Sequence, residues 1–235
     1  MRLDVKLLSQ AAPTDTAIII DVLRMTTTAT VMFANGLSRL WVVADIAEAL
    51  RLAEQQQALR CGERGGQRLP GFDAGNSPIE AQGLSLARRS AVLCTTNGSK
   101  AVEAAAGAKH VLLGAIVNAK AAAERALSLA GHELCLICAG TDGAVSLDDA
   151  LAAAVMAREL LALKPTLALS DSAKLVLAAL TATPDLEQGL RQARHAALLT
   201  SLGFDEDITF AARPNRYSLV AERVELHPAA FEAHG

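Results

Sequence analysis

Ile18-Ile19-Ile20-Asp21-Val22-Leu23-Arg24-Met25-Thr26-Thr27-Thr28 is the stretch that decides the fold. Three consecutive β-branched apolar residues leave no polar face, so a strand made of them is covered on both sides, as in a parallel sheet packed between helices. Asp21 ends the run and falls at the strand's carboxyl end, the edge where open α/β sheets bind ligands. The turn beyond it leads into a helix whose unpaired N–H groups attract anions. Asp21 suits a cation, whereas Arg24 and the hydroxyls of Thr26, Thr27 and Thr28 suit an oxyanion. A plainer reading stands beside this one: an Asp after a strand forms turns, and threonines at a helix start serve as caps. The functional reading gains only if other strand ends repeat the pattern.

They do repeat it. Ala91 to Cys94 runs into Thr95-Thr96-Asn97-Gly98-Ser99 and a helix from about Lys100 to Ala106. Glu133 to Ala139 ends at Gly140-Thr141-Asp142-Gly143, after which Ser146-Leu147-Asp148-Asp149 opens a long apolar helix reaching about Leu163. Between the first two junctions, a short strand from Leu59 to Gly62 precedes an irregular segment from Glu63 to Pro78. Its glycines let backbone N–H groups approach a ligand, and it carries Arg64, Arg68, Asn76 and Ser77. Further strands are expected at Leu3 to Leu8, Leu40 to Ala44 and Val111 to Ala115, with helices at Thr26 to Ala34, Ile46 to Glu54 and Ala119 to Leu129. Beyond Pro165 the pattern turns helical, at Ser170 to Leu180, Asp185 to Leu199 and 203–210, before a last strand, Tyr217 to Val224, and a charged tail. Strands separated by helices predict an α/β fold: three layers, α/β/α, with a mainly parallel central sheet in one domain over residues 1–235. The helical stretch 165–210 is either a cap or part of the outer layer.

Composition narrows the partners. Half the 235 residues are apolar, 51%, ample for a sizeable core. A net charge of −3 and 3% aromatic residues offer neither a basic phosphate-tracking surface nor base-stacking rings, so no nucleic-acid partner is expected. The charged start Met1-Arg2-Leu3-Asp4-Val5-Lys6 is unlike a secretory signal, and polar residues break every apolar run before membrane-spanning length. The expectation is a cytoplasmic protein with no membrane partner; a homo-oligomer stays open. Cys135-Leu136-Ile137-Cys138 spells C-x-x-C, but side chains three apart in a strand point to opposite faces.

Asp21, Asp148 and Asp149, with Glu63, are hard oxygen ligands at the ends of different strands, suited to Mg²⁺. Around them stand Arg24, Thr26, Thr27, Thr28, Asn76, Ser77, Thr95, Thr96, Asn97 and the N–H groups of Gly98 and Ser99. So many donors fit a small substrate bearing more than one anionic group. Ser146-x-x-Asp149 also approximates a capping box, in which the acid serves the helix start. His110, His132, His195, His227 and His234 fall outside the junctions and are read as surface or packing residues. The phosphate-binding G-x-x-x-x-G-K-[ST] loop, the G-x-S-x-G elbow and the G-x-G-x-x-G fingerprint are all absent. Asp171-Ser172-Ala173 is a weak match to a phosphatase nucleophile, alone on an expected helix.

Six blocks in order resemble the 2-phosphosulfolactate phosphatase, or ComB-like, family. They are Asp21-Val22-Leu23-Arg24 with Thr26-Thr27-Thr28; Gly62-Glu63; Gly71-Phe72-Asp73 with Gly75-Asn76-Ser77-Pro78; Thr95-Thr96-Asn97-Gly98; Cys138-Ala139-Gly140; and Ser146 with Asp148-Asp149. Leu202-Gly203-Phe204-Asp205-Glu206-Asp207-Ile208 is similar to the family's late acidic segment. The resemblance implies a Mg²⁺-dependent acid phosphatase that converts 2-phospho-3-sulfolactate to 3-sulfolactate and phosphate, a step towards coenzyme M. Asp21, Arg24 and Glu63 are then the expected catalytic residues, and Asp21, Asp148 and Asp149 the expected metal ligands. Met25, Ser99 and Asp148 depart from the family's usual residues without removing a hard ligand. Direct attack by water and a phosphoaspartate at Asp21 both remain open. A non-catalytic binding protein for small phosphate or sulfonate anions is the alternative.

Overall fold

The isoleucine run forms a strand, Thr16–Ile20, buried at every residue. In the computed structural model, which describes all 235 residues, the chain order is β1 (Arg2–Lys6), β2 (Thr16–Ile20), α1 (Met25–Ala34), β3 (Arg39–Val43), α2 (Ile46–Gln56), β4 (Leu59–Arg64), β5 (Gln67–Arg68), α3 (Pro78–Gln82) and β6 (Ser90–Cys94). There follow α4 (Gly98–Ala104), β7 (His110–Gly114), a 3₁₀ turn (Ile116–Asn118), α5 (Ala119–Leu129), β8 (Glu133–Cys138), α6 (Leu147–Leu163), β9 (Ala168–Leu169) and α7 (Asp171–Thr181). The chain ends with α8 (Leu186–Arg191), α9 (Arg194–Ser201), α10 (Asp205–Ala211), β10 (Val220–Leu226) and β11 (Ala229–His234). The sheet has 11 strands in the order β5-β4-β6-β3-β11-β10-β7-β2-β8-β1-β9.

Two parallel blocks make up most of it. β4, β6 and β3 run parallel to one another, and so do β7, β2, β8, β1 and β9. The antiparallel hairpin β10–β11 joins them, β10 pairing with β7 and β11 with β3. This corrects the expectation of a charged tail after the last strand. Ala230 and Phe231 are fully buried mid-sheet, because ladder pairing uses only the backbone and the two apolar residues suffice to fill the core. The expected helix from Asp185 to Leu199 is instead two, α8 and α9, separated at Gln192 and Ala193.

Helices cover both faces, completing the three layers. Ile18 and Ile20 pack with the alanine-rich faces of α5 and α6, including Ala122, Ala126, Ala153 and Ala157. Ile19 points the other way, towards Ala29 and Phe33 of α1 and Ala101 of α4. Each fully buried isoleucine contributes roughly 1.5–3 kcal/mol. Cys138 lies in the first of these clusters and Cys135 in the second, on opposite faces. Residues of α2 cover the smaller block, Leu52 and Ala53 meeting Trp41 and Val92. Beyond α6, α7 packs on β1 and α6, α8 and α9 on α6, and α10 on α3 and α8. No helix is long and apolar enough to cross a membrane.

Candidate active site

The carboxyl ends of both parallel blocks meet at one cleft. Asp21 follows β2 directly, and its Oδ1 accepts the Met25 N–H at 3.2 Å. Its Oδ2 lies against Gly98, where a Cβ would stand only 2.6 Å away; the start of α4 comes this close because it begins with glycine. Glu63, at the end of β4, ties three segments together. Its Oε1 accepts the Thr95 hydroxyl (3.2 Å) and the Thr96 N–H (2.9 Å), and its Oε2 accepts the Gly66 N–H (3.0 Å). Asp149 staples the exits of β2 and β8, Oδ1 accepting the Val22 N–H and Oδ2 the Gly140 N–H, both at 2.9 Å. The capping box of Ser146 and Asp149 does not form: Asp149 is turned to the strands, and the Ser146 hydroxyl donates to Asp148 Oδ1.

Arg24 is held from three sides. Its Nη1 donates to Asp207 Oδ2 at 2.8 Å, with both side chains 2% exposed. Its Nη2 donates to the Gly66 carbonyl, and its guanidinium stacks 4.2 Å from the Phe204 ring centre. Asp207 also accepts the Ser77 hydroxyl at 2.6 Å. Neither Asp207 nor Phe204 was singled out as a site residue from sequence. The late acidic segment carrying them was the available signal.

Six of the expected residues, Asp21, Arg24, Glu63, Asn76, Thr95 and Asn97, line one cavity of about 20 Å³, completed by Leu23, Gly66 and His195. The sequence expectation of a surface or packing role for His195 is corrected: α9 carries it into this cavity. Of the other expected residues, Thr26, Thr27, Thr28 and Ser77 stand behind the wall. Thr26, Thr27 and Thr28 donate to the carbonyls of Asp21 (2.9 Å), Val22 (2.7 Å) and Asn76 (3.1 Å). Their hydroxyls therefore fix the turn rather than face an oxyanion, and Ser77 is spent on Asp207 and on capping α3. Asn76 Oδ1, Thr96 Oγ1 and His195 Nδ1 are buried with no partner.

This geometry can be set beside known proteins. The family described as 2-phosphosulpholactate phosphatase matches residues 3–225. The chain belongs to that family. A relative from Deinococcus radiodurans, named probable 2-phosphosulfolactate phosphatase, is 43% identical over 222 residues, covering 94% of this chain and 92% of its own. Relatives of the same name from Thermus thermophilus and Carboxydothermus hydrogenoformans are 39% and 38% identical, covering 91% and 87% of this chain and 90% and 84% of their own.

In this member of the phosphosulpholactate phosphatase family the cleft is rich in acid. Burial, reinforced by the charges of Glu63 and Asp148, pushes the Asp21 carboxyl up to about 7 against the Met25 N–H and Arg24. Burial also raises Asp149, with Asp148 and Asp21 adding to it. Asp148 is raised by burial too, opposed by the Ser146 hydroxyl and His195. Burial lowers His195, against the pull of Asp148. Asp21, Glu63, Asp148 and Asp149 thus crowd one region whose arginine is already matched by Asp207. The donor set fits a hard divalent cation: Asp21 and Asn76 line the cavity, Asn76 Oδ1 is buried without a partner, and the Asp148 charge is near enough to raise the Asp21 carboxyl. Asp149, an expected ligand, has committed one oxygen to each of its two N–H donors. No three His, Cys, Asp or Glu side chains converge as a ready-made ligand set, so substrate or water oxygens would complete the coordination of such an ion.

Proposed function

We propose that this protein is a Mg²⁺-dependent phosphoric monoester hydrolase acting on 2-phospho-3-sulfolactate or a close polyanionic 2-phospho acid. One observation carries the reading: a buried arginine, fixed on three sides, faces a pocket walled by more carboxylates than it can neutralise. An acid-walled pocket repels a polyanion unless a cation stands between them. Asp21 and Asp148, with Asn76, are the residues that would hold it. When bound, Mg²⁺ supplies charge neutralisation at the phosphoryl oxygens and lowers the pKa of bound water.

The protein's own groups do the rest. Arg24 enters with its orientation set by Asp207 and Phe204, so its remaining N–H groups meet the phosphoryl oxygens without reorganisation. Asn97 offers a side-chain amide from the same lining. His195, disfavoured as a cation by burial, presents an unpartnered Nδ1 that can accept a proton from water or a hydroxyl. The family match and the names of the relatives support the substrate class.

Phosphate release from 2-phospho-3-sulfolactate and a panel of 2-phospho acids, with Mg²⁺ and with EDTA, tests this. Turnover with Mg²⁺ and none with EDTA is expected. Tight anion binding without turnover at any metal concentration would replace the enzyme with a binding protein.

A further inference from the structure

We infer that a groove on the far side of Asn97 is the subsite for the substrate's second anionic group, and that Lys100 is the residue that selects for it. This rests on the phosphatase reading above. The reacting cavity, at about 20 Å³, is too tight to take a second anionic arm beside a phosphoryl group. A phosphate ester that also carries a sulfonate or carboxylate must therefore place that arm elsewhere. Asn97 belongs to two walls at once: it lines the reacting cavity and also an adjacent open groove of about 540 Å³.

The groove's available donors are Gln10, Asn97 and Lys100, the Ser9 hydroxyl being spent on the Ala139 carbonyl at 3.0 Å. Ser9, Gln10, Asn97 and Lys100 face it, with Gly143 at one side and Glu103 as its single acid. Lys100 is its only cation, and it forms no ion pair. Asn97 Oδ1 accepts the Asp142 N–H at 3.4 Å, which leaves the Asn97 amide hydrogens free of any protein acceptor. The groove thus offers an unpaired ammonium and a free amide beside the reacting cavity. That arrangement recognises a compact anion held a few bonds from the phosphoryl group.

Lys100 is exposed, and its replacement leaves the core and the reacting cavity untouched. The test compares wild type with Lys100→Ala and Lys100→Glu on two esters, 2-phospho-3-sulfolactate and isopropyl phosphate, and adds calorimetric binding of 3-sulfolactate. We expect KM for phosphosulfolactate to rise about tenfold in the Ala variant and further in the Glu variant, the equivalent of about 1.4 kcal/mol per decade. The kcat should stay constant, and kcat/KM for isopropyl phosphate should not move. The Kd for sulfolactate should weaken in parallel and become less salt-dependent. Unchanged KM and Kd for the sulfonated ligands, or equal losses on both esters, would overturn the subsite while leaving the phosphatase intact. Wild-type protein that binds sulfolactate through Lys100 yet hydrolyses neither ester would sink the phosphatase reading and keep the groove.

Discussion

Burial, together with the charges of Glu63 and Asp148, raises the Asp21 carboxyl into the neutral range. Its carboxyl is raised from 3.8 to about 7 on folding, so between those values the folded state binds more protons than the unfolded one. Its contribution to stability is full below 3.8 and is lost as pH rises through 7, with a slope of up to about 1.4 kcal/mol per pH unit. In metal-free urea unfolding between pH 5 and 8, the wild type should therefore lose stability relative to Asp21→Asn. Mg²⁺ at pH 8 should restore the wild type and leave the variant unmoved; parallel curves for the two proteins would contradict this account of Asp21. The Arg24–Asp207 pair permits a second test. Asp207→Asn strands a buried guanidinium and should cost about 3–5 kcal/mol by chemical denaturation, whereas Arg24→Met with Asp207→Leu should recover most of that without recovering turnover. Full activity in the double variant would remove Arg24 from the chemistry. Gly98→Ala should cut kcat, since its Cβ would press on Asp21 Oδ2 at 2.6 Å; unchanged kinetics would mean that Asp21 has slack.

The strands that end in chemistry were legible because each is an apolar run that stops abruptly. Ile18 to Ile20 before Asp21, Ala91 to Cys94 before Thr95, and Leu134 to Ala139 before Gly140 all read correctly as strand ends. The direction of individual side chains was not legible. Thr26, Thr27 and Thr28 look like anion donors in sequence, yet local carbonyls claim their hydroxyls first. His195 sits among residues that suit an ordinary amphipathic helix, and only the packing of α9 on α6 brings it to the cavity. Asp207 is 183 residues from Arg24, and no local pattern encodes so distant a pairing. β11 was missed because Ala229–His234 is short and carries polar residues, while its pairing with β10 and β3 is non-local. Deleting residues 229–235 should expose the edges of both strands and abolish cooperative unfolding; a truncated protein with a single sharp transition would show that the hairpin is dispensable.

At the scale of the whole molecule, two parallel half-sheets spliced by β10–β11 turn their carboxyl edges towards one cleft. Asp149 staples one half, Glu63 ties the other, and Arg24 with Asp207 draws the late helices over both. The fold class follows from the alternation of strands and helices; the closeness of these distant corners follows only from the splice. The proposed function turns on Asp21, and the most direct measurement is single-turnover phosphate release from 2-phospho-3-sulfolactate by wild type and Asp21→Asn in saturating Mg²⁺. The prediction is a loss of about 10³-fold or more, some 4 kcal/mol of transition-state stabilisation, in a variant whose circular dichroism matches the wild type and which still unfolds cooperatively. A folded Asp21→Asn protein releasing phosphate at a near-normal rate would contradict it.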